Sequence, residues 1–503
     1  MKPFKIFTLP KSIDDCLKDL KTEDASKWEK AGKKRVMELY TFVSENVPAY
    51  RKLMKERGIR PEEIQDTESF KRLPVIDKDS YLRKYDYLDL FPNRDLSKAT
   101  TFSATSGSTG EPFFFPREEA HDEQNEYTGA IFLKNQFELD TKSTLAIISF
   151  GMGVWIGGIL NYKYLNQIAK KGSKLAVVPV GTHVEIFLNT VKKFGKHYDQ
   201  LLLIGYPPLI KDIIDRGKDY DISWKDYNIK ILTAAEGFSE KFRDYLVKKA
   251  HIKNPLTDII NIYGTVELGG MGNETALTTL IRKAAQKNKK VFKTIFPDAA
   301  TMPTLVQYHP DIVYFEEVNG ELVASAYGSS IPLLRYRFPD KGGVVPFNEM
   351  IKRFESAGVD ILKEAKDAGI ADYILKLPFA YVYERSDGAV SLVGIDIYAQ
   401  WIKDALYAKE LESFVTGKFH IIKKEDKKFN AFVEICVELK KDTEPNGDIA
   451  EKVGSVVADT LKKESTEFNH LYATSPEKVA INILLSEYGA KPYFGGTGKH
   501  KWV

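Results

Sequence analysis

The five stretches Leu145–Phe150 (LAIISF), Leu175–Val180 (LAVVPV), Leu201–Tyr206 (LLLIGY), Ile229–Glu236 (IKILTAAE) and Asp258–Gly264 (DIINIYG) decide the fold. Each is a short, nearly continuous apolar run rather than an alternating one, as expected of a strand buried on both faces. They recur about every 26 to 30 residues, with helix-like sequence between them. That is the length of a βαβ unit, and it predicts a mostly parallel sheet.

On the N-terminal side, Val36, Leu39, Tyr40, Val43 and Val47 keep helical spacing, with Pro48 where that helix should end. On the C-terminal side the pattern changes after Pro303. IVYFEEV and ELVASAY flank Asn319-Gly320, a dipeptide suited to a tight hairpin turn, so an antiparallel region is expected there. A third unit begins near Tyr383. It holds the paired strands of KFHIIKKEDKKFNAFVEICVELKK, a helix around Val453 to Leu461 and the strand VAINILL. The expected fold is therefore α/β. A large N-terminal domain (1–383) with a mainly parallel sheet and an antiparallel, barrel-like part is expected, followed by a small α+β C-terminal domain (384–503).

With 503 residues and 43% hydrophobic content the chain can bury a substantial core. Its 73 basic and 70 acidic side chains leave a formal charge of +3, which gives no reason to expect nucleic acid or an anionic membrane as partner. The two cysteines, Cys16 and Cys436, suit a reduced compartment and exclude a disulfide framework, and the eight histidines show no ligand-like spacing. No signal-like leader and no apolar run near the roughly 18 residues of a membrane span is evident. A cytoplasmic protein, monomer or homodimer, is expected. The charged stretch Ile281 to Lys293 (IRKAAQKNKKVFK) reads as a solvated helix face, with a docking site for an acidic group as the alternative.

The strongest chemical signal is Thr105-Ser106-Gly107-Ser108-Thr109-Gly110-Glu111-Pro112. Glycines let backbone bend close to a phosphate, and successive N–H groups and hydroxyls donate to its oxygens. The plain alternative is a surface loop. The spacing does not fit GxxxxGK[ST], so a P-loop enzyme is a poor match, and neither a dinucleotide fingerprint nor a GxSxG elbow is present.

TSGSTGEP resembles the phosphate-binding signature of the acyl-adenylate-forming superfamily, in particular its phenylacetate–coenzyme A ligase branch. Further segments are similar to that family in the same order: NVPAYRKLMKERGIRPEEIQDTESFKRLPVIDKDSYLR as its lead-in, FGMGVWIGG as part of its acid pocket, Ala234-Ala235-Glu236-Gly237 as its turn beside adenine, and Tyr263-Gly264-Thr265-Val266-Glu267 as its Y-G-x-x-E segment. Tyr336-Arg337-Phe338-Pro339-Asp340 is similar to Y-R-x-x-D, with Phe-Pro in place of the usual Thr-Gly. Glu384-Arg385-Ser386-Asp387 is similar to the G-R-x-D hinge, with glutamate in place of glycine, and Gly495-Gly496-Thr497-Gly498-Lys499 to the loop bearing the adenylation lysine.

The resemblance implies an ATP-dependent ligase that adenylates a small-molecule carboxylic acid, aryl or otherwise apolar, and passes the acyl group to coenzyme A. ATP, Mg²⁺ and coenzyme A are the implied cofactors. Lys499, Thr265 and Glu267 would be catalytic, with Glu267 also the metal ligand. Thr105 to Gly110, Ala235, Glu236, Tyr263, Gly264, Asp340 and Arg385 would bind nucleotide, and Asp387 would be the hinge pivot. Phe150, Trp155, Tyr206, Gly237 and Met271 are candidates for the acid pocket, though each suits ordinary packing too. Lys501 is the competitor for the lysine role. Rival readings send the acyl group to an amine, a carrier protein or a protein cysteine, transfer AMP to a cofactor, or retain the fold without catalysis.

Overall fold

The computed structural model describes residues 5, 12–105, 112–299, 301–386 and 388–494. The chain divides into two compact units, one made of residues 1–103 and 114–384, the other of 104–113 and 385–503.

In the first unit, β1 (Thr101–Ala104) and β2 (Phe114–Arg117) form a two-stranded sheet. The five apolar runs are strands β3 (Thr144–Ser149), β4 (Leu175–Pro179), β5 (Gln200–Gly205), β6 (Ile229–Ala234) and β7 (Ile259–Thr265). They pair in parallel in the order β4-β3-β5-β6-β7. Every residue of β3 and β5 is buried, which is why their sequences do not alternate. β4, at the sheet edge, is only half-buried and ends in Pro179, which such a position tolerates.

The antiparallel strands continue the same sheet rather than form a second one. They are β8 (Gly269–Asn273), β9 (Thr304–Gln307), β10 (Val313–Val318), β11 (Glu321–Ala326), β12 (Leu333–Val345) and β13 (Phe379–Arg385). Eleven strands run β10-β11-β12-β13-β9-β8-β7-β6-β5-β3-β4. The switch falls at β7, where the turn 265–268 sends β8 back antiparallel. Asn319 and Gly320, at φ 55° and 81°, close the β10–β11 hairpin between Val318 and its partner Glu321, as their sequence predicts.

Pro48 does more than follow a helix end. Helix Ala25–Asn46 starts on the Asp24 side chain, and Pro48 opens the next helix, Pro48–Glu56, where its missing N–H leaves nothing unpaired. The charged stretch 281–293 departs from a simple solvated face. It breaks at Asn288, whose side chain caps Lys289–Ile295, and Ile281, Ala285, Val291 and Ile295 enter the core. Lys287, Lys289 and Lys290 remain exposed, but Arg282 is buried against Glu240 and Glu274. Hydropathy misplaces such a residue because its cost of burial is offset by partners distant in sequence.

A buried polar cluster ties the N-terminal helices to the sheet. The Tyr127 hydroxyl donates to Cys16 Sγ at 2.8 Å, and His309 pairs through Nδ1 with Asp311 beneath Trp28. Burial disfavours the His309 imidazolium, but the Asp311 carboxylate and the Cys16 thiol outweigh it, and its pKa rises to about 10. The carboxyl of Asp311 is held below its usual range by the same pairing, against burial. Because the folded histidine pKa exceeds the unfolded value of about 6.5, its stabilisation is full below that pH and is lost as pH climbs toward 10. The aspartate contribution is lost as pH falls through its lowered pKa. We expect His309→Gln to destabilise the protein by roughly 2 kcal/mol near pH 5.5, allowing for partial exposure of Asp311, and the deficit to shrink toward pH 10. Urea unfolding at several pH values checks this; a deficit independent of pH would refute it.

The second unit carries the hairpin β14 (Ala389–Leu392) and β15 (Ile395–Tyr398), turned at Val393-Gly394. Its three-stranded sheet holds β16 (Val415–Glu425) antiparallel to β17 (Ala431–Leu439), with β18 (Ile481–Ser486) parallel to β17. Helix Gly447–Glu464 provides the crossover, burying Ile449, Val453, Val457 and Leu461 at helical spacing. Among the described residues no helix is long and apolar enough to cross a membrane.

Candidate active site

Parallel strands in register deliver their C-terminal ends to one edge of the sheet. Ser149 on β3 faces Gly205 on β5, Gly205 faces Thr233 on β6, and Ala234 faces Ile262 on β7. Phe150, Tyr206, Ala235 and Tyr263, each the next residue along, therefore share that edge. This is where ligands bind in open α/β sheets, outside the carboxyl ends of the strands.

The turn after β6 is held under strain. Ala235 has φ +72°, a left-handed conformation that alanine rarely adopts and that persists only where the surroundings impose it. Asn261 Nδ2 donates to the Glu236 carbonyl at 3.1 Å, and Thr233 Oγ1 donates to Asn261 Oδ1 at 2.9 Å. Gly237 sits so near β9 that a Cβ there would lie 2.4 Å from Thr304 Oγ1. The Glu236 side chain is buried.

Two motif residues 77 positions apart meet directly. The Tyr263 hydroxyl donates to Asp340 Oδ2 at 2.6 Å, and the Tyr263 ring packs on Phe315. A carboxylate has about four acceptor positions, so the bond from tyrosine does not by itself exhaust them. Asp340 stays at this point although Phe-Pro precedes it. Gly264 is required by the hairpin, since a Cβ would fall 2.5 Å from the Gly269 carbonyl oxygen.

The turn 265–268 carries the remaining groups. Thr265 Oγ1 accepts from Leu268 N at 3.3 Å, and Glu267 Oε1 accepts from the Tyr336 hydroxyl at 3.4 Å. Burial drives the Tyr336 phenol well above its ordinary pKa, with the Glu267 charge adding to it, so it stays a donor. Two cations that the motifs do not include lie within electrostatic reach of Glu267. Arg117, fully buried, donates to the Val266 carbonyl at 2.5 Å and to Ser103 Oγ at 2.9 Å. Its pKa falls to about 10 through burial, opposed by Asp122 and Glu267. Lys78 is likewise lowered by burial and opposed first by Glu267. Arg335 brings Lys78 here: its guanidinium donates to the Lys71 and Leu73 carbonyls, and Ile76 bridges to β12 on either side of Tyr336. An arginine closing the apolar run FFFPR was the one available signal for Arg117; Lys78 had none.

Of the pocket candidates, two are seen to pack on each other. Phe150 and Tyr206 meet edge to face at 4.8 Å, while Trp155, at the start of helix Ile156–Lys170, lies where a Cβ on Gly151 would come within 2.9 Å of its ring. Met271 is buried on β8, across β7 from the others. Thr105 exchanges hydrogen bonds with Phe113, its amide donating to the Phe113 carbonyl and its Oγ1 accepting from Phe113 N, both at 3.0 Å. Arg385 belongs to the second unit, where it pairs with Asp396 at 2.9 Å. Ser106, Gly107, Ser108, Thr109, Gly110, Asp387 and Lys499 lie outside the described residues.

Among the described residues no group of three or more His, Cys, Asp or Glu side chains is disposed to hold a metal. Glu267 offers one carboxylate, with the Thr265 hydroxyl two residues away. That donor set fits Mg²⁺, which keeps several waters and relies on substrate phosphates rather than a protein cage.

No family model matches the chain. A phenylacetate–coenzyme A ligase of Aromatoleum evansii is 21% identical over 309 residues, a match spanning 60% of this chain and 63% of that protein. Crystal structures of 2-hydroxyisobutyryl-CoA ligase share the fold. The form with 2-HIB-AMP and CoA in the thioesterification state superposes with TM-score 0.62 at 15% identity, covering 96% of this chain and 92% of the other. An open form with the same ligands gives 0.55 at 14% identity, covering 99% and 96%.

Proposed function

We propose that this chain, which resembles phenylacetate–coenzyme A ligases in sequence and an acyl-CoA ligase of the acyl-adenylate-forming superfamily in fold, is an ATP-dependent, AMP-forming acid–thiol ligase. The observation that carries the reading is the Tyr263–Asp340 hydrogen bond. It brings two separate motifs together at the strand edge, beside the strained turn at Ala235 and with Glu267 on the next turn.

A carboxylate is a weak electrophile, and joining it to AMP supplies a leaving group. In the first half-reaction a carboxylate oxygen of the acid attacks the α-phosphorus of ATP and the bond to pyrophosphate breaks, leaving acyl-AMP. In the second, the thiolate of coenzyme A attacks the acyl carbonyl and AMP departs. Little covalent work falls to the protein, so positioning and electrostatics dominate.

Asp340 accepts from the ribose hydroxyls, oriented by Tyr263. The turn Ala235–Gly237 borders adenine. Thr105 to Thr109 and Thr265 donate to phosphate oxygens, and Lys499 joins the acid to the α-phosphate. Glu267, set among Arg117, Lys78 and Tyr336, would hold Mg²⁺, which when bound neutralises triphosphate charge. Phe150, Trp155, Tyr206, Gly237 and Met271 wall an apolar or aryl acid. The second unit, pivoting at Asp387, would carry Lys499 away for thioester formation. Two free cysteines fit a cytoplasmic setting.

Pyrophosphate release from ATP and Mg²⁺ across a panel of aryl and alkyl acids, with and without coenzyme A, tests this. Acid-dependent release with an acyl–coenzyme A product of matching mass is expected. Release that no acid stimulates would sink the reading, and acyl-AMP that accumulates despite coenzyme A would move the acceptor to an amine or a carrier protein.

A further inference from the structure

Four fully buried charges stand beside the strained turn: Glu240, Arg243, Glu274 and Arg282. Arg243 reaches Glu240 and Glu274, both at 2.9 Å, and Arg282 reaches Glu274 at 2.5 Å and Glu240 at 3.1 Å. Two cations and two anions cancel, so no net charge is buried. Stability does not explain such a cluster, because well-packed apolar side chains usually serve as well or better.

What the cluster supplies is geometry. Arg282 Nη2 donates to the Phe238 carbonyl at 2.6 Å, directly after the turn, and the Phe238 ring lies beneath both guanidiniums at 4.9 Å from Arg243 and 5.9 Å from Arg282. Glu274 is tied by its amide to the carbonyl of Asn261, the residue whose side chain holds Glu236. Arg243 serves a different place, donating to the Ile259 carbonyl at the entry of β7. The two arginines share anions but hold different backbone.

We propose that Arg282 is a positioning residue for the adenine side of the site: through the Phe238 carbonyl it holds the Ala235–Glu236–Gly237 turn with Ala235 in its left-handed conformation, so that the edge is preformed before nucleotide arrives. This rests on the nucleotide reading given above. It predicts that loss of the tether weakens nucleotide binding without unfolding the protein, because lysine at 282 still neutralises Glu240 and Glu274 but lacks the fork needed to reach Phe238 as well.

The experiment compares wild type, Arg282→Lys and Arg243→Lys by ATP and AMP calorimetry, thermal melting, and hydrogen exchange at residues 234–239 of the free protein. Arg282→Lys is expected to bind AMP roughly 10- to 150-fold more weakly, the equivalent of one charge-assisted hydrogen bond, and to exchange faster at the turn. Arg243→Lys is expected to lower the melting temperature with wild-type exchange at the turn and nearly wild-type affinity. Equal losses of affinity in both variants, tracking their melting temperatures, would overturn the proposal and leave the cluster a structural one. Should Arg282→Lys fail to fold, Arg282→Met with Glu240→Gln removes one charge of each sign, and unchanged exchange at 234–239 in that protein overturns the proposal. If wild type binds neither ATP nor AMP the functional reading falls, while the exchange measurement still decides whether Arg282 holds the turn.

Discussion

Lys499→Ala should lower acid-dependent pyrophosphate release by roughly 10²–10³-fold while ATP binding is largely retained, the size of effect typical for loss of one preorganised donor at a site of developing charge. The argument is chemical. In adenylation two anions must approach each other, the acid carboxylate and the α-phosphate, and a cation between them is worth most in the transition state, where the new bond is forming. In sequence the lysine follows Gly495, Gly496, Thr497 and Gly498, residue types with little side-chain bulk. A second assay separates the roles: thioester formation from supplied acyl-AMP should persist in the variant, since that step has no α-phosphate attack to assist. Lys501→Ala serves as control. Full adenylation activity in Lys499→Ala, with loss in Lys501→Ala, would reassign the lysine.

Asp340→Ala should raise the KM for ATP by about 100-fold, corresponding to about 3 kcal/mol for two hydrogen bonds to an ionised acceptor. Tyr263→Phe should cost about fivefold, because it removes only the hydroxyl that orients the carboxylate at 2.6 Å. Combined, the two changes should fall short of the product of their separate effects, as expected of residues in one contact. Ribose-modified nucleotides give the sharper reading. Wild type should discriminate against 2′- and 3′-deoxy-ATP, and Asp340→Ala should lose that discrimination; if it keeps it, Asp340 does not hold the ribose.

The parallel half of the sheet was legible because β3 and β5 are covered on both faces, so their apolar runs are uninterrupted. The β10–β11 hairpin was legible because Asn319-Gly320 encodes its own φ values locally. Short segments with several constrained residue types, Tyr263–Glu267 and Tyr336–Asp340, supplied the candidate residues, of which Tyr263 and Asp340 meet in the fold. Sequence alone offered no access to Arg117, which donates to the Val266 carbonyl 149 residues away, to Lys78, which feels the Glu267 charge across 189 residues of chain, or to Arg282, which looked like part of a solvated face.

Local pattern alone thus determined the five parallel strands, the β10–β11 hairpin turn and the βαβ repeat, since each depends on residues within a few positions of one another, while the candidate chemistry rested on the family resemblance of short motifs. Only the tertiary structure decided that the antiparallel strands extend the parallel sheet, that Tyr263 and Asp340 share a hydrogen bond, that Ala235 is strained, and which arginines are buried to hold these turns. The physical reason is that burial of a charge and strain in a backbone are stable only through partners brought from elsewhere in the chain, and no local window contains them.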